Sequence, residues 1–276
     1  MASKFLNPRL SFQSKLTILM LSAATLSALV VGLVAFNAGK QALTDQVLNH
    51  LNAIRETRGT AVANYLKLYR THVQTLTESD DVVNVMRDFR NAFNDLGSQD
   101  IDLSKQQELL EFYRTEQIPR LAKYVDGEPV PEQMMPKSTA GQYLHHTYLA
   151  KNPEAANERF RFLDAQHDND YSRVHANHHA KITRLVEQLD FYDFILVDAD
   201  TTNIVYSYRK EIDLGATLGD GFLSLTQLSQ SVERLRRDHD KRSFELVDYE
   251  SYRPSFGRPA AFAASPIFDG TTHKWG

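Results

Sequence analysis

The chain has 276 residues, a formal net charge of −4 and no cysteine. Without cysteine it can form neither disulfides nor thiolate metal sites, and a cysteine nucleophile is excluded. Residues 1–40 hold four basic and no acidic side chains, so residues 41–276 carry a net charge of −8, a surface that disfavours nucleic acid as a partner.

The first predicted element is a membrane-spanning helix. Residues 16–36 carry no charged side chain, and as a helix they extend about 30 Å, the thickness of the hydrocarbon core of a bilayer. Basic side chains precede this stretch, and the first acidic residue is Asp45. The positive-inside rule therefore predicts a cytoplasmic segment at residues 1–15, a single pass through the cell membrane and an extracytoplasmic remainder. A cleaved signal peptide is the alternative, but the apolar stretch exceeds the usual length of roughly 7–15 residues.

Residues 37–190 are predicted to be the helical part of an extracytoplasmic domain. A long helix runs from Ala38 to about Leu96, either unbroken or restarted at the N-cap cluster Ser79-Asp80-Asp81. Apolar residues recur at alternating spacings of three and four between residues 43 and 75, which predicts a seam for homodimerisation. Further helices are predicted at 104–125, 141–151 and 171–188, with a proline-rich loop at 126–139.

Residues 191–276 change to the period of two that is typical of strands. Strands are predicted at 193–198, 204–210, 244–250 and 259–268, with a turn at 200–203 and a helix at about 223–238. In the turn, Asn203 is the residue expected to accept a positive φ. Long helices followed by two hairpins around a crossing helix are the element order of a PAS-like antiparallel sheet, so the predicted fold class is α+β.

Several motifs run through the helical and sheet parts. They are Gln142-Tyr143, Tyr148–Pro153, Tyr171 with His175 and His179, Phe191–Asp198, Ile204–Ser207, Lys210-Glu211-x-Asp213 and Pro254-Ser255. Together they resemble the extracytoplasmic Cache-type sensor region of bacterial transmembrane receptors. Residues 11–93 are similar to the membrane anchor and first helix of receptors that end in an adenylate or guanylate cyclase. Related sensors feed histidine kinases and chemotaxis transducers, so the resemblance implies small-molecule sensing more firmly than one type of output.

Receptors of this kind continue with a last strand, a second membrane helix and a cytoplasmic output domain. The resemblance therefore implies a C-terminally truncated fragment that lacks the last, central strand of its sheet. We expect residues 40–276 to be less stable than a chain extended by about 15–20 native residues, because each buried backbone group without a partner costs about 1–3 kcal/mol. An alternative from another class is a membrane-anchored binding protein with no output domain.

Seven residues are predicted to contact the ligand. Aromatic walls with a few charged groups suit a small polar or zwitterionic molecule, and such residues gather around the first hairpin and the third strand. They are Tyr192, Tyr206, Tyr208, Lys210, Asp213, Asp248 and Tyr252. Alternate residues of a strand face the same side, so Tyr206 and Tyr208 share one face. The alternative is that the tyrosines belong to the core and that Lys210 and Asp213 form a structural ion pair.

The histidines suggest a weaker candidate, a metal site. His175, His178 and His179 lie at i, i+3 and i+4, so a helix places them on one face within reach of one cation. The alternative is that His175 and His179 pack and hydrogen-bond within the helical scaffold, whereas His178 is merely exposed. The sequence has no phosphate-binding loop, nucleophile elbow or zinc-protease motif. We therefore predict no catalytic residues and no cofactor in the residues given, with a metal-dependent enzyme that uses the histidines as the alternative. The resemblance leaves open that the full-length protein is an enzyme, a nucleotide cyclase or a histidine kinase.

Overall fold

A computed structural model describes residues 11–98, 101–124, 129–238, 240–269 and 276. The predicted cytoplasmic segment 1–15 and the predicted loop 126–139 therefore lie partly outside the described residues. The chain forms two compact units, one up to Lys67 and one from Leu68 to Gly276. The second unit combines helices with two small antiparallel sheets, which confirms the predicted mixture of helix and sheet.

Helix α1 runs without interruption from Phe12 to Thr77 and contains the whole predicted membrane span. Its apolar side chains are exposed up to Leu68, including Leu29 in the span and Leu51 in the predicted seam. Within the described part of the chain, α1 is the one helix long and apolar enough to cross a membrane. The long helix predicted from Ala38 to about Leu96 is restarted, not unbroken. It ends at Thr77, and a new helix begins shortly afterwards.

The second unit is built from short helices and two hairpins. After α1, its helices are α2 (Asp80–Gly97), α3 (Leu103–Phe112), α4 (Ile118–Leu121), α5 (Pro131–Met134), α6 (Thr139–His145), α7 (Asp170–Leu189) and α8 (Gln227–Arg237). Its strands are β1 (Ile195–Val197), β2 (Ile204–Ser207), β3 (Glu245–Tyr252) and β4 (Arg258–Ala264).

Helix α2 begins where the sequence predicted an N-cap. The Ser79 hydroxyl accepts a hydrogen bond from the backbone N–H of Val82 at 3.3 Å and so satisfies one of the free donors of the first turn. The buried face of α2 packs on α7 and β2. At the centre of that face, the Phe89 ring lies 5.5 Å from the ring of Tyr171 and 4.5 Å from that of Tyr206.

Two of the predicted helices contain π-helical turns. The predicted helix 104–125 consists of α3, a π-helical turn at Tyr113–Gln117 and α4. The predicted helix 141–151 consists of α6 and a π-helical turn at His146–Ala150. A π-helical turn holds one more residue than an α-helical turn, and such turns are frequent at functional sites. Helix α5 lies inside the region predicted as a loop, so that prediction is wrong there.

The predicted sheet is divided into two hairpins. Strand β1 pairs antiparallel with β2, and β3 pairs antiparallel with β4. Strand β2 ends at Ser207, because the chain turns where the sequence predicted three more strand residues, and Lys210 has a φ of 56°. Helix α8 packs on β3 and β4 and begins at Gln227, after a 3₁₀ turn at Gly221–Leu223.

Gly276 contacts the first hairpin and the residues that follow the second. Its carbonyl oxygen accepts a hydrogen bond from the backbone N–H of Ile267 at 2.5 Å. A Cβ atom added to Gly276 would lie 2.9 Å from the carbonyl oxygen of Val197 in β1. Among the described residues, β1 and β4 each pair with only one strand. Gly276 therefore lies between β1 and the segment that follows β4.

The turn between β1 and β2 is strained. Thr202, not Asn203, adopts the positive φ, at 61°, so the prediction for Asn203 is wrong. Positive φ is unfavourable for a β-branched residue and costs on the order of 1–3 kcal/mol. Two backbone hydrogen bonds hold the strained residue: its N–H donates to Asp198 at 2.8 Å, and its carbonyl accepts from Leu218 at 2.9 Å.

Candidate ligand-binding site

Five of the seven residues predicted to contact a ligand are buried, each with 3% or less of its surface exposed: Tyr206, Tyr208, Lys210, Asp213 and Tyr252. The other two lie at the surface. Tyr192 donates a hydrogen bond to the carboxylate of Glu211 at 3.0 Å, and the guanidinium of Arg209 lies over its ring at 4.4 Å. Asp248 is exposed on β3.

Lys210 is a buried amine in an unusual setting. Its Nζ lies 3.0 Å from His179 Nε2 and 3.5 Å from the carbonyl oxygen of Tyr208. His179 Nε2 also lies 2.6 Å from the carbonyl oxygen of Phe160, and its Nδ1 lies 2.6 Å from the Tyr206 hydroxyl. Because a carbonyl oxygen only accepts, we assign the ring proton to Nε2. The Nζ atom then faces an N–H group, which suits a neutral amine, and burial lowers the pKa of Lys210 well below its ordinary value.

Asp193 is an acidic residue of the same region that sequence reasoning missed. Its carboxylate accepts hydrogen bonds from the backbone N–H groups of Phe194 at 2.7 Å and Arg209 at 3.0 Å, and from the Ser207 hydroxyl at 3.0 Å. The residue as a whole is half-buried, but these donors enclose its carboxylate. Burial, followed by the charge of Glu211, raises the pKa of Asp193 to about 7. The carboxyl group therefore exchanges its proton near neutral pH.

Asp213 has one satisfied and one unsatisfied oxygen. Its Oδ2 accepts a hydrogen bond from the Tyr252 hydroxyl at 2.9 Å, whereas its buried Oδ1 has no hydrogen-bond donor among the described residues. Burial and the charge of Asp193 raise the pKa of Asp213 well above its ordinary value. Lys210 does not neutralise it, since the two side chains form no ion pair within the described part of the chain. An unsatisfied buried carboxylate oxygen costs at least about 1–3 kcal/mol, so a donor placed there would stabilise the domain.

Arg159 carries the matching unsatisfied donor. It is 4% exposed, its guanidinium lies 5.4 Å from the centre of the Phe112 ring, and its buried Nε has no partner in the described residues. The charges of Arg159 and Asp213 both act on the pKa of Tyr113, so both residues lie within electrostatic range of its hydroxyl. Tyr113 belongs to the first π-helical turn, which also holds Gln117, whose buried Nε2 has no hydrogen-bond partner among the residues that the structure describes.

We refer to Arg159, His179, Asp193, Lys210 and Asp213 as the buried polar cluster. Asp193 was not predicted as a ligand contact. The sequence did contain a signal for it, because it is a charged residue at the start of an apolar strand. Arg159 offered none, because only its burial against other elements makes it exceptional.

The three histidines predicted as a weak metal site have separate partners. His175 Nδ1 lies 2.9 Å from the carbonyl oxygen of Leu163, and His178 Nε2 lies 3.0 Å from the Asp88 carboxylate. Burial is the main cause that lowers the pKa of His179 to about 3, so its ring is neutral. Among the described residues, no group of three or more His, Cys, Asp or Glu side chains is placed to hold a metal ion. Each of the three histidines therefore has its own hydrogen-bond partner in the structure.

A separate cavity of about 370 Å³ is lined by none of the predicted ligand residues. Its walls include four hydroxyl-bearing residues, Ser138, Thr201, Thr202 and Thr217. Lys137 and Asp220 also line it, and their exposed side chains form an ion pair at 2.7 Å. We call this cavity the hydroxyl pocket.

Comparison of the chain with protein-family models, curated proteins and solved structures gives no match.

Proposed function

We propose that this chain is the extracytoplasmic, small-molecule-sensing portion of a membrane signal-transduction receptor with a PAS-like, Cache-type sensor domain. In this proposal α1 crosses the cell membrane with residues 1–15 in the cytoplasm, and the unit from Leu68 onward lies outside. The full-length receptor drives a cytoplasmic nucleotide cyclase. The exposed apolar helix, the excess of basic residues before it and the two hairpins around α8 support the proposal.

The observation that carries the proposal is a pair of unsatisfied polar atoms in the buried polar cluster. A buried guanidinium N–H at Arg159 and a buried carboxylate oxygen at Asp213 both lack partners in the described residues. Buried polar groups of folded proteins are nearly always hydrogen-bonded, and charged ones cost most when they are not. A small polar or zwitterionic ligand with one acceptor and one donor would satisfy both atoms.

The end of α1 connects such a site to the membrane side. The ring of Tyr69 packs on the ring of Phe191, with 5.6 Å between their centres. Phe191 lies two residues before Asp193, a member of the buried polar cluster. Arg70 lies over the Phe244 ring at 5.5 Å, just before β3. Residues at the end of α1 therefore contact the segments that lead into both hairpins. A ligand that binds one arrangement of these contacts more tightly than another shifts the equilibrium between two positions of α1. The size of this shift is set by the difference in the ligand's affinity for the two arrangements.

Asp213→Asn tests this function. We expect the substitution to weaken binding at least about tenfold, because the amide replaces one acceptor oxygen of the site with an NH2 group. Binding is measured by calorimetry on the full chain in lipid nanodiscs, with amino acids, short carboxylates and primary amines as probes. Asp248→Asn, the same change at an exposed position on β3, is the matched control and should bind normally.

Thermal unfolding of both variants separates a binding defect from a folding defect. A folded Asp213→Asn protein that binds a probe as tightly as the parent would contradict a ligand contact at Asp213. Failure of every probe to bind the parent chain would contradict the proposed chemistry of the site.

We also propose that the receptor is a homodimer through α1. Apolar side chains at the predicted seam positions are exposed, among them Val47 at 50% and Leu51 at 55%. Since both copies leave the membrane in the same direction, their seams would meet as a parallel coiled coil.

Engineered cysteines test the dimer, because the chain has no native cysteine. Leu51→Cys in the seam should form an intermolecular disulfide under mild oxidation, observed as a dimer band after denaturation. Glu56→Cys, on the opposite face of the helix, should give little dimer. Equal yields from the two variants would rule out a seam at Leu51.

A further inference from the structure

The hydroxyl pocket has the size and the chemistry of a binding site. Its volume of about 370 Å³ lies within the range of small-molecule pockets. The hydroxyls of Thr202 and Thr217 lie 3.1 Å apart, so one donates to the other and the second proton remains free for a ligand. The Ser138 hydroxyl accepts from the backbone N–H of Gly141 at 3.1 Å and can still donate its own proton.

Thr202 is the observation that points to function. It is buried and holds a φ of 61°, a conformation that glycine adopts without strain and a β-branched residue resists. Glycine at this position would relieve the strain and would still make both backbone hydrogen bonds. The strained threonine adds one feature that glycine lacks, a hydroxyl group on the wall of the pocket. Strain of this kind is found at ligand sites.

The lining also indicates which ligands fit. Hydroxyl groups both donate and accept, and they match ligands that do the same. The charges nearest the pocket, Lys137 and Asp220, already neutralise each other at 2.7 Å. An anion or a cation would therefore have to break this ion pair, whereas a neutral polyhydroxylated molecule would not.

We propose that the hydroxyl pocket binds a neutral polyhydroxylated small molecule, a monosaccharide or a polyol, through the hydroxyls of Ser138, Thr202 and Thr217. The site is separate from the buried polar cluster and does not depend on the function proposed for that cluster. Its occupant would hold together the turn after β1, the loop after Asp213 and the residues before α6, all of which supply its walls.

The test uses the full chain in lipid nanodiscs with D-glucose, D-galactose, myo-inositol and glycerol as probes. We expect saturable binding of at least one probe by calorimetry, and no competition from phosphate. Thr202→Gly should raise the midpoint of thermal unfolding and at the same time weaken probe binding at least tenfold. Thr217→Val, which keeps the shape and removes the hydroxyl, should also weaken binding at least tenfold.

Ser224→Ala is the control, because it removes a hydroxyl that bonds to the Gly221 carbonyl outside the pocket. This variant should bind the probe normally. The proposal is overturned if none of the four probes binds saturably, or if phosphate binds in their place. It is equally overturned if Thr202→Gly is more stable and binds the probe as tightly as the parent chain.

Discussion

Replacing Gly141 by alanine should destabilise the domain by about 3 kcal/mol or more. A Cβ atom at this position would overlap the carbonyl oxygen of Gly215 and lie 2.5 Å from Cβ of Pro136. One obstacle is a backbone atom and the other belongs to a rigid ring, so neither can turn aside, and α6 has to move away from the loop after Asp213. Overpacking of a filled site costs about 1–3 kcal/mol and sometimes more. Urea unfolding of the full chain in nanodiscs measures the loss.

Gly97→Ala is the matched control for this prediction. Gly97 ends α2, and an added Cβ atom there meets nothing within 4 Å. Alanine is a better helix former than glycine by up to about 1 kcal/mol, so this variant should be neutral or slightly more stable. If both variants lost the same stability, the close approach of Gly141 and Gly215 would not be what holds α6 against the loop.

Asp193→Asn should make the domain more stable above pH 7. Burial raises the pKa of Asp193 from 3.8 to about 7, so the folded state binds this proton more tightly than the unfolded state. Stability from this group is fully present below about pH 4 and is lost as the pH rises through 7, by about 4 kcal/mol at most. Asparagine does not titrate, and its side chain can keep hydrogen bonds to Phe194, Arg209 and Ser207.

The measurement is the difference in unfolding free energy between Asp193→Asn and the parent chain from pH 4 to pH 8. Using the difference removes the titration of groups that lie far from Asp193 in both proteins. We expect the difference to favour the variant increasingly as the pH rises. Asp248→Asn, at an exposed position, should give a difference that stays flat. A flat difference for Asp193→Asn would show that its carboxyl group titrates normally in the folded state.

Local signals predicted those elements whose cause is local. Ser79 caps α2 as the sequence indicated, because a hydroxyl before a helical period satisfies a free N–H wherever the helix packs. The period of two located both hairpins within a few residues. The π-helical turns were missed, since their sequences read as ordinary helix and only contacts with other elements widen them. Thr202 was missed for a similar reason, because the bonds that hold its strained backbone come from Asp198 and Leu218.

The candidate site could be predicted only in part. The sequence singled out Lys210, Asp213 and Tyr252 as aromatic and charged residues next to strands, and the structure buries all three. Whether they contact a ligand stays a prediction. Arg159 became a candidate only when its burial and its unpartnered Nε were seen, since a sequence does not show which charges lose their water.

The pairing of the strands determines where their backbone amides exchange hydrogen with solvent most easily. In most sheets, the strands at the outer rims exchange their amide hydrogens first, and the central strands exchange last. Here Gly276 lies between β1 and Ile267, which follows β4, and β1 pairs with a single strand among the described residues. Ile204 in β2 is also bonded on its other side, since its N–H donates to Ala216 at 2.9 Å and its carbonyl accepts from Gly215 at 2.8 Å. We therefore expect amide hydrogens of β1 to exchange with solvent before the amide hydrogen of Ile204.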